Sequence, residues 1–257
     1  PDPGFIAYRS MIDYMGAKAV ALPHRMENNF SFDAEELLSL INDKTRLIIL
    51  NSPANPTGGV VPRRELEKLA KGLKKFPNVF ILSDEIYSRI LFDGHEHSSL
   101  LTFPEVRDRV IVLDGWSKTY SMTGWRLGYG IFPKSIFKYA EKLAINCHSC
   151  ISIPTQLAGI EALNGSQDSV NKMVQEFQER RNFLVSELNK IKDVSCVTPG
   201  GAFYVFPKIN KKNHKSLDIS NFLLEKMFVA TVPGSSFGKN GEGFLRISYA
   251  SKLENLK

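Results

Sequence analysis

Arg46-Leu-Ile-Ile-Leu-Asn51, the turn Ser52-Pro-Ala-Asn-Pro-Thr-Gly-Gly59, the segment Pro62 to Lys75 and the run Val79-Phe-Ile-Leu-Ser83 together decide the fold. A compact apolar run that ends in a Pro/Gly-rich turn reads as a buried strand. The segment after it reads as a helix, with proline near its first turn and Leu66, Leu69, Ala70 and Leu73 on one face. Val79 to Ser83 is the next strand, and Arg109-Val-Ile-Val-Leu-Asp114 the one after. Strand, helix and strand with full burial predict an α/β domain around a mostly parallel sheet.

Outward from this stretch, Asp33 to Ile41 reads as a short helix with a capping box from Asp33 to Glu36. On the other side, composition changes near Asn164-Gly165-Ser166. Gln167 to Ile191 then reads as one long amphipathic helix, with Val170, Met173, Val174, Phe177, Leu184, Leu188 and Ile191 at spacings of three, four and seven. Val194 to Val197, Ala202 to Phe206, Phe228 to Val232 and Phe244 to Ser248 read as strands of a smaller α+β unit. The expected organisation is a large α/β domain over residues 1–164 and a small C-terminal domain over 165–257. Ligands of open α/β sheets bind beyond the carboxyl ends of the strands, so the chemistry is expected there.

Composition narrows the function classes. The chain has 257 residues, 43% hydrophobic and 23% charged, which is ordinary globular composition. No apolar run approaches the roughly eighteen residues of a membrane span, and with no basic, apolar and small-residue opening in this sequence no secretory signal is expected. Three cysteines, Cys147, Cys150 and Cys196, cannot all pair, so a reducing, cytoplasmic compartment is expected. A net charge of +6 raises the question of nucleic acid. The charges do not concentrate, however, and the densest basic run, Lys208 to Lys215, reads as a solvated loop. Excess positive charge also suits a protein that handles a phosphorylated cofactor and carboxylates. Cys147-His-Ser-Cys150 is half of a metal or redox motif without its second half, and no metal is expected.

Three segments past strand ends carry the candidate chemistry. In Asn51 to Gly59, prolines and glycines fix an irregular backbone that holds the Asn55 amide at the strand's end. Ser83-Asp-Glu-Ile-Tyr-Ser88 puts Asp84 at the tip of a buried strand. Gly115-Trp-Ser-Lys-Thr-Tyr-Ser-Met-Thr-Gly-Trp-Arg-Leu-Gly128 puts Lys118 after a strand and Arg126 eight residues on. Each segment alone has an ordinary reading, as a turn, a helix cap or solvated surface. All three in this order, each after a predicted strand, do not.

Asn55-Pro-Thr-Gly58, Asp84-Glu-Ile-Tyr87, Ser117-Lys118 with Thr123-Gly-Trp-Arg-Leu-Gly128, and Phe244-Leu-Arg-Ile-Ser248 resemble the motifs of the class I/II aminotransferase family of fold-type I pyridoxal-phosphate enzymes. The resemblance extends to Pro3-Gly-Phe-Ile-Ala-Tyr8 and Thr198-Pro-Gly-Gly-Ala-Phe-Tyr204. It implies a pyridoxal 5'-phosphate enzyme that moves an amino group from an amino acid to a 2-oxo acid by a ping-pong route. It further implies a homodimer with active sites at the interface.

The resemblance also assigns roles. Lys118 as a neutral amine would condense with the cofactor aldehyde and later shuttle the proton. Asp84 would pair with the pyridine nitrogen. Tyr87 and Asn55 would hydrogen-bond the cofactor's 3′-oxygen, Arg126 the phosphate, and Phe5 would stack on the ring. Arg246 would clamp the substrate α-carboxylate, with Asn55 beside it, while Leu245 and Ile247 point into the small domain's core. By the same resemblance the chain lacks the family's N-terminal segment, with its phosphate-cradling glycine loop and the partner subunit's tyrosine, and its last helix. Other reactions on the scaffold, a C–S lyase or an aminocyclopropane-carboxylate synthase, share these residues. A non-catalytic fragment is the reading from a different class. In the aspartate-specific subgroup an Arg near Cys147 to Thr155 reads the side-chain carboxylate, and none occurs there.

Overall fold

A computed structural model describes residues 1–211 and 214–257. The predicted strands form the first three members of a four-stranded sheet: β1 (Leu47–Asn51), β2 (Phe80–Asp84), β3 (Val110–Gly115) and β4 (Gly128–Ile131), in that spatial order. β1, β2 and β3 run parallel, and β4 returns antiparallel to β3. The register sets Asn51 beside Asp84 and Asp84 beside Leu113, so the carboxyl ends of all three parallel strands finish together.

The helices on this sheet form for the reasons the spacing predicts. In α3 (Arg63–Gly72), with Pro62 as its N-cap, Leu66, Leu69 and Ala70 are buried, and Leu73 is buried in the 3₁₀ turn that follows. They pack with Leu37 of α2 (Ala34–Ser39) against Ile48, Leu50, Ile81, Val110 and Val112 of the strands. Asp33 caps α2, accepting from the N–H groups of Glu35 and Glu36. The reciprocal half of the expected capping box is absent because Glu36 instead pairs with Arg25 at 2.6 Å.

Elements without a prior expectation are α1 (Ile6–Tyr14), α5 (Lys134–His148), α6 (Ile153–Asn164) and α8 (Ser216–Met227). The short helix after β3 is α4 (Trp116–Thr119), and the long amphipathic one is α7 (Asp168–Leu188). A second core joins Phe177, Leu184 and Val185 of α7 to Tyr87, Ile90 and Phe92, and to Ala202, Tyr204, Val205 and Tyr249. It therefore draws on residues from both sides of Gly165.

The later strands are shorter than expected: β5 (Val194–Ser195), β6 (Tyr204–Val205), β7 (Lys208–Ile209), β8 (Val232–Pro233) and β9 (Leu245–Ser248). Phe228 is not in a strand. It caps α8 in the left-handed region, φ 57°, and the strand begins only at Val232. Nor is the basic run a simple loop, since Lys208 and Ile209 pair with Ser195 and Val194. Lys212 and Asn213 of that run lie outside the described residues. Among the described residues no helix is long and apolar enough to cross a membrane.

Candidate active site

The turn after β1 is held by its own backbone. Asn55 N–H donates to Asn51 Oδ1 at 2.8 Å, and Gly58 N–H to the Ala54 carbonyl at 2.8 Å. Gly58 has φ +68°, and a side chain there would meet the Cβ of Pro199 at 2.4 Å, so only glycine fits. Asn51 Nδ2 also donates to the Asp84 carbonyl at 3.0 Å, tying the first motif to the second. Asn55, buried, accepts from Arg246 Nη1 at 3.0 Å through Oδ1.

Arg246 lies in β9 between Leu245, which is buried, and Ile247, which packs against the second core. Its guanidinium is sandwiched, 4.6 Å from the Tyr204 ring centroid and 5.0 Å from that of Phe237. Its Nε is buried and has no hydrogen-bond partner among the described residues. Tyr204 in turn shares a 3.0 Å hydrogen bond with the hydroxyl of Tyr87. Burial, and then Tyr204, raise the Tyr87 phenol, which stays protonated and able to donate.

Lys118, on α4, is half-buried, and its Nζ sits 5.8 Å from the centre of the Phe203 ring. Burial lowers its pKa, helped by the positive charges of Arg126 and Arg246. Both effects disfavour the ammonium form. Arg126 sits at a left-handed position, φ 55°, and its exposed guanidinium donates to the Thr123 carbonyl at 2.8 Å.

Asp84 accepts a short hydrogen bond from the Tyr8 hydroxyl and a second, at 3.2 Å, from the Ile86 N–H. Burial raises its pKa, the two donors oppose this, and the charge of Glu85 adds to it. Phe5, 41% exposed, meets Tyr8 edge-on at 5.5 Å.

Two groups of residues result. Asn55, Arg246, Tyr87 and Lys118 are joined through the aromatic rings of Tyr204 and Phe203, Asp84 and Phe5 through Tyr8, and Asn51, bonded to the Asn55 N–H and to the Asp84 carbonyl, links the two. Arg126 touches neither group directly and acts on Lys118 through its charge. Sequence reasoning did not assign Tyr8, Phe203, Tyr204 or Phe237. The first three lie inside the quoted motifs, so the signal was present, but nothing local reveals which partner each one meets. Cys147 and Cys150 are free and exposed. Among the described residues no cluster of three or more His, Cys, Asp or Glu side chains could hold a metal.

Known proteins share this arrangement of elements. Residues 1–257 match the sequence profile described as aminotransferase class I and II. An aspartate aminotransferase of Pyrococcus horikoshii is 39% identical over 258 residues, which cover 100% of this chain and 65% of that protein. The chain thus spans 65% of the length of this relative. The crystal structure of an aromatic aminotransferase from Pyrococcus horikoshii superposes with a TM-score of 0.94 at 36% identity, covering 99% of this chain and 68% of that one. The structure of an aspartate aminotransferase from Rhizobium meliloti gives 0.93 at 34% identity, with 99% and 66% covered. A profile matched over residues 1–257, with architecture and sequence agreeing alongside it, shows that the chain belongs to the aminotransferase class I and II family.

Proposed function

We propose that the protein is a pyridoxal 5'-phosphate-dependent aminotransferase that moves an amino group from an L-amino acid to a 2-oxo acid by a ping-pong route, with Lys118 as its catalytic amine. The observation that carries this reading is the setting of that lysine. It is half-buried, shifted towards the neutral amine by burial and two arginines, and has no carboxylate bonded to it among the described residues. A surface lysine has no such setting, and a nucleophilic one needs it.

Enzymes of this family use pyridoxal 5'-phosphate, and the residues fit it. The cofactor, when bound, supplies an electron-accepting pyridine ring and a reactive aldehyde carbon. The chain's residues bind, orient and move protons around it. Lys118 supplies the nucleophilic amine and afterwards holds the proton that leaves the substrate α-carbon. Asp84 would hold the ring nitrogen, whose cationic N–H would counter the effect of burial on its carboxyl. Tyr87 and Asn55 would donate to the 3′-oxygen, Asn55 through the amide nitrogen that its bond to Arg246 leaves free. Arg126 would take the phosphate and Phe5 would cover the ring face. The unpartnered Nε of Arg246 suits a substrate α-carboxylate, which a planar guanidinium grips with two parallel bonds.

The test is covalent trapping. Protein mixed with pyridoxal 5'-phosphate, reduced with borohydride and digested, is expected to carry the label on Lys118, and Lys118→Ala to carry none and turn nothing over. Label on another lysine refutes the assignment.

The wider reading is a cytoplasmic homodimer, with a cofactor domain over 1–164 and a small domain over 165–257. Exposed apolar side chains on α5 and α6, among them Phe137, Leu143, Leu157 and Ile160, support an interface there, because large apolar patches seldom face water. A monomer in sedimentation at micromolar concentration argues against the dimer.

A further inference from the structure

We propose that Arg181 is a positioning residue of the active site: it holds the strap Pro199–Tyr204 against the Asn55 turn and thereby sets where Arg246 points. The inference rests on the function proposed above for what Arg246 grips.

Arg181 stands on the apolar stripe of α7, four residues after Phe177 and three before Leu184, where the helix period demands a hydrophobic side chain. It is 1% exposed. All five of its N–H donors are used. Nη1 donates to Asp93 Oδ2 at 2.6 Å and to the Pro199 carbonyl at 2.9 Å. Nη2 donates to Asp93 Oδ1 at 2.9 Å and to Asn182 Oδ1 at 2.7 Å, and Nε to the same Asn182 oxygen at 3.0 Å. The guanidinium also lies over Phe92, 4.8 Å from its centre. For stability alone, a well-packed apolar residue commonly serves as well as a buried ion pair. A guanidinium adds direction, and this one is aimed at the Pro199 carbonyl.

Pro199 opens a strap with no slack. Gly200 accepts from the Phe92 N–H at 3.0 Å, Gly201 donates to the Gly58 carbonyl at 3.1 Å, and Ala202 donates to the Ile90 carbonyl at 2.9 Å. The contact between Pro199 and Gly58 leaves no room for a β-carbon. The strap's next residues, Phe203 and Tyr204, supply the ring beneath Lys118 and the ring beneath Arg246. The turn it presses on carries Asn55, the hydrogen-bond acceptor for Arg246. Two of the three supports of Arg246, Tyr204 and Asn55, therefore converge on the joint that Arg181 grips, while the third, Phe237, lies outside it.

Amide hydrogen exchange and succinate affinity, measured on the full chain, test the proposal. In Arg181→Met, the Gly201 and Ala202 amides are expected to exchange faster while those of β1 to β3 are unchanged. In cofactor-loaded protein the dissociation constant for succinate, an unreactive carboxylate, is expected to rise about tenfold, since small misplacements at a clamp carry such penalties. Should Arg181→Met fail to fold, Asp93→Asn alters only a half-exposed partner and supports the same two measurements. Unchanged exchange at Gly201 and Ala202 overturns the proposal. So does faster exchange with unchanged succinate affinity, which is the signature of a merely structural residue. Wild-type protein that binds neither cofactor nor succinate refutes the proposed function instead, and the exchange result then decides whether Arg181 holds the strap.

Discussion

Removing the Tyr8 hydroxyl as Tyr8→Phe isolates what the structure says about Asp84. The carboxylate receives two donors, Tyr8 and the Ile86 N–H, in a setting whose burial already raises its pKa. Tyr8 itself is pushed far above the usual phenol value, by burial first and then by the Asp84 charge, so it donates at every accessible pH. A hydrogen bond to a charged acceptor contributes about 1.5–3 kcal/mol, against about 1 kcal/mol for a neutral one. The difference, roughly 1–2 kcal/mol, favours ionised Asp84. Tyr8→Phe should therefore raise an already raised pKa further.

The sign follows from proton counting. An acid whose folded pKa exceeds its unfolded value binds more protons when folded, so stability falls as pH rises from the unfolded value through the folded one. The variant extends that loss. Urea unfolding of cofactor-free protein should find Tyr8→Phe only about 1 kcal/mol less stable than wild type near the lower carboxylate range. At neutral pH the deficit should be larger by roughly 1–2 kcal/mol, or about 2–8 °C in melting temperature. A deficit that is the same at both pH values would mean that Tyr8 supplies packing alone and does not tune Asp84. A deficit larger at acid pH would reverse the proposed coupling.

Two further outcomes follow from the same geometry. Arg246→Lys loses the aromatic sandwich and the paired grip, and should raise the Michaelis constants for both amino-acid and 2-oxo-acid substrates by roughly ten- to a hundredfold; steady-state kinetics showing both unchanged remove the clamp role. His24, buried, has its pKa lowered from 6.5 to about 3, chiefly by burial, so its contribution to stability is complete above pH 6.5 and is lost as pH falls through the interval below; His24→Leu should flatten the acid limb of the unfolding profile between about pH 6 and 4, and an unchanged limb assigns the acid sensitivity elsewhere.

What the sequence revealed and what it hid divide along a physical line. Strands β1 to β3 were legible because each is a short, compact apolar run, as Leu47-Ile-Ile-Leu50 and Val110-Ile-Val-Leu113 are. Their ends shifted by a residue because Asp84 and Gly115, poor strand formers, are still held in register by their neighbours. Strands β6 and β8 shrank because Ala202 and Phe228 take left-handed backbone that no strand tolerates, and neither residue type signals it. Helix α5 has an apolar stripe at Ile136, Ala140, Leu143 and Cys147 that went unread, and none of its residues is buried.

The chemistry was legible for a different reason from its support. Asn55, Asp84 and Lys118 each follow a strand closely, so their common location needs only the parallel direction of β1, β2 and β3, which the strand–helix–strand pattern implies. The supporting residues obey no such local rule. Tyr8 meets Asp84 across 76 positions of sequence, and Tyr87 meets Tyr204 across 117. Arg181, a charge on an apolar helix face, reads locally as a solvated side chain and is among the most completely buried side chains in the protein. Motif residues need correct chemistry at one place, and short segments can encode that. Their partners need correct distance across the fold, and distance is encoded only by everything that packs between. Variants of Tyr8, Tyr204 and Arg181 should therefore keep the chemistry and lose its aim, whereas variants of Lys118 should keep the aim and lose the chemistry.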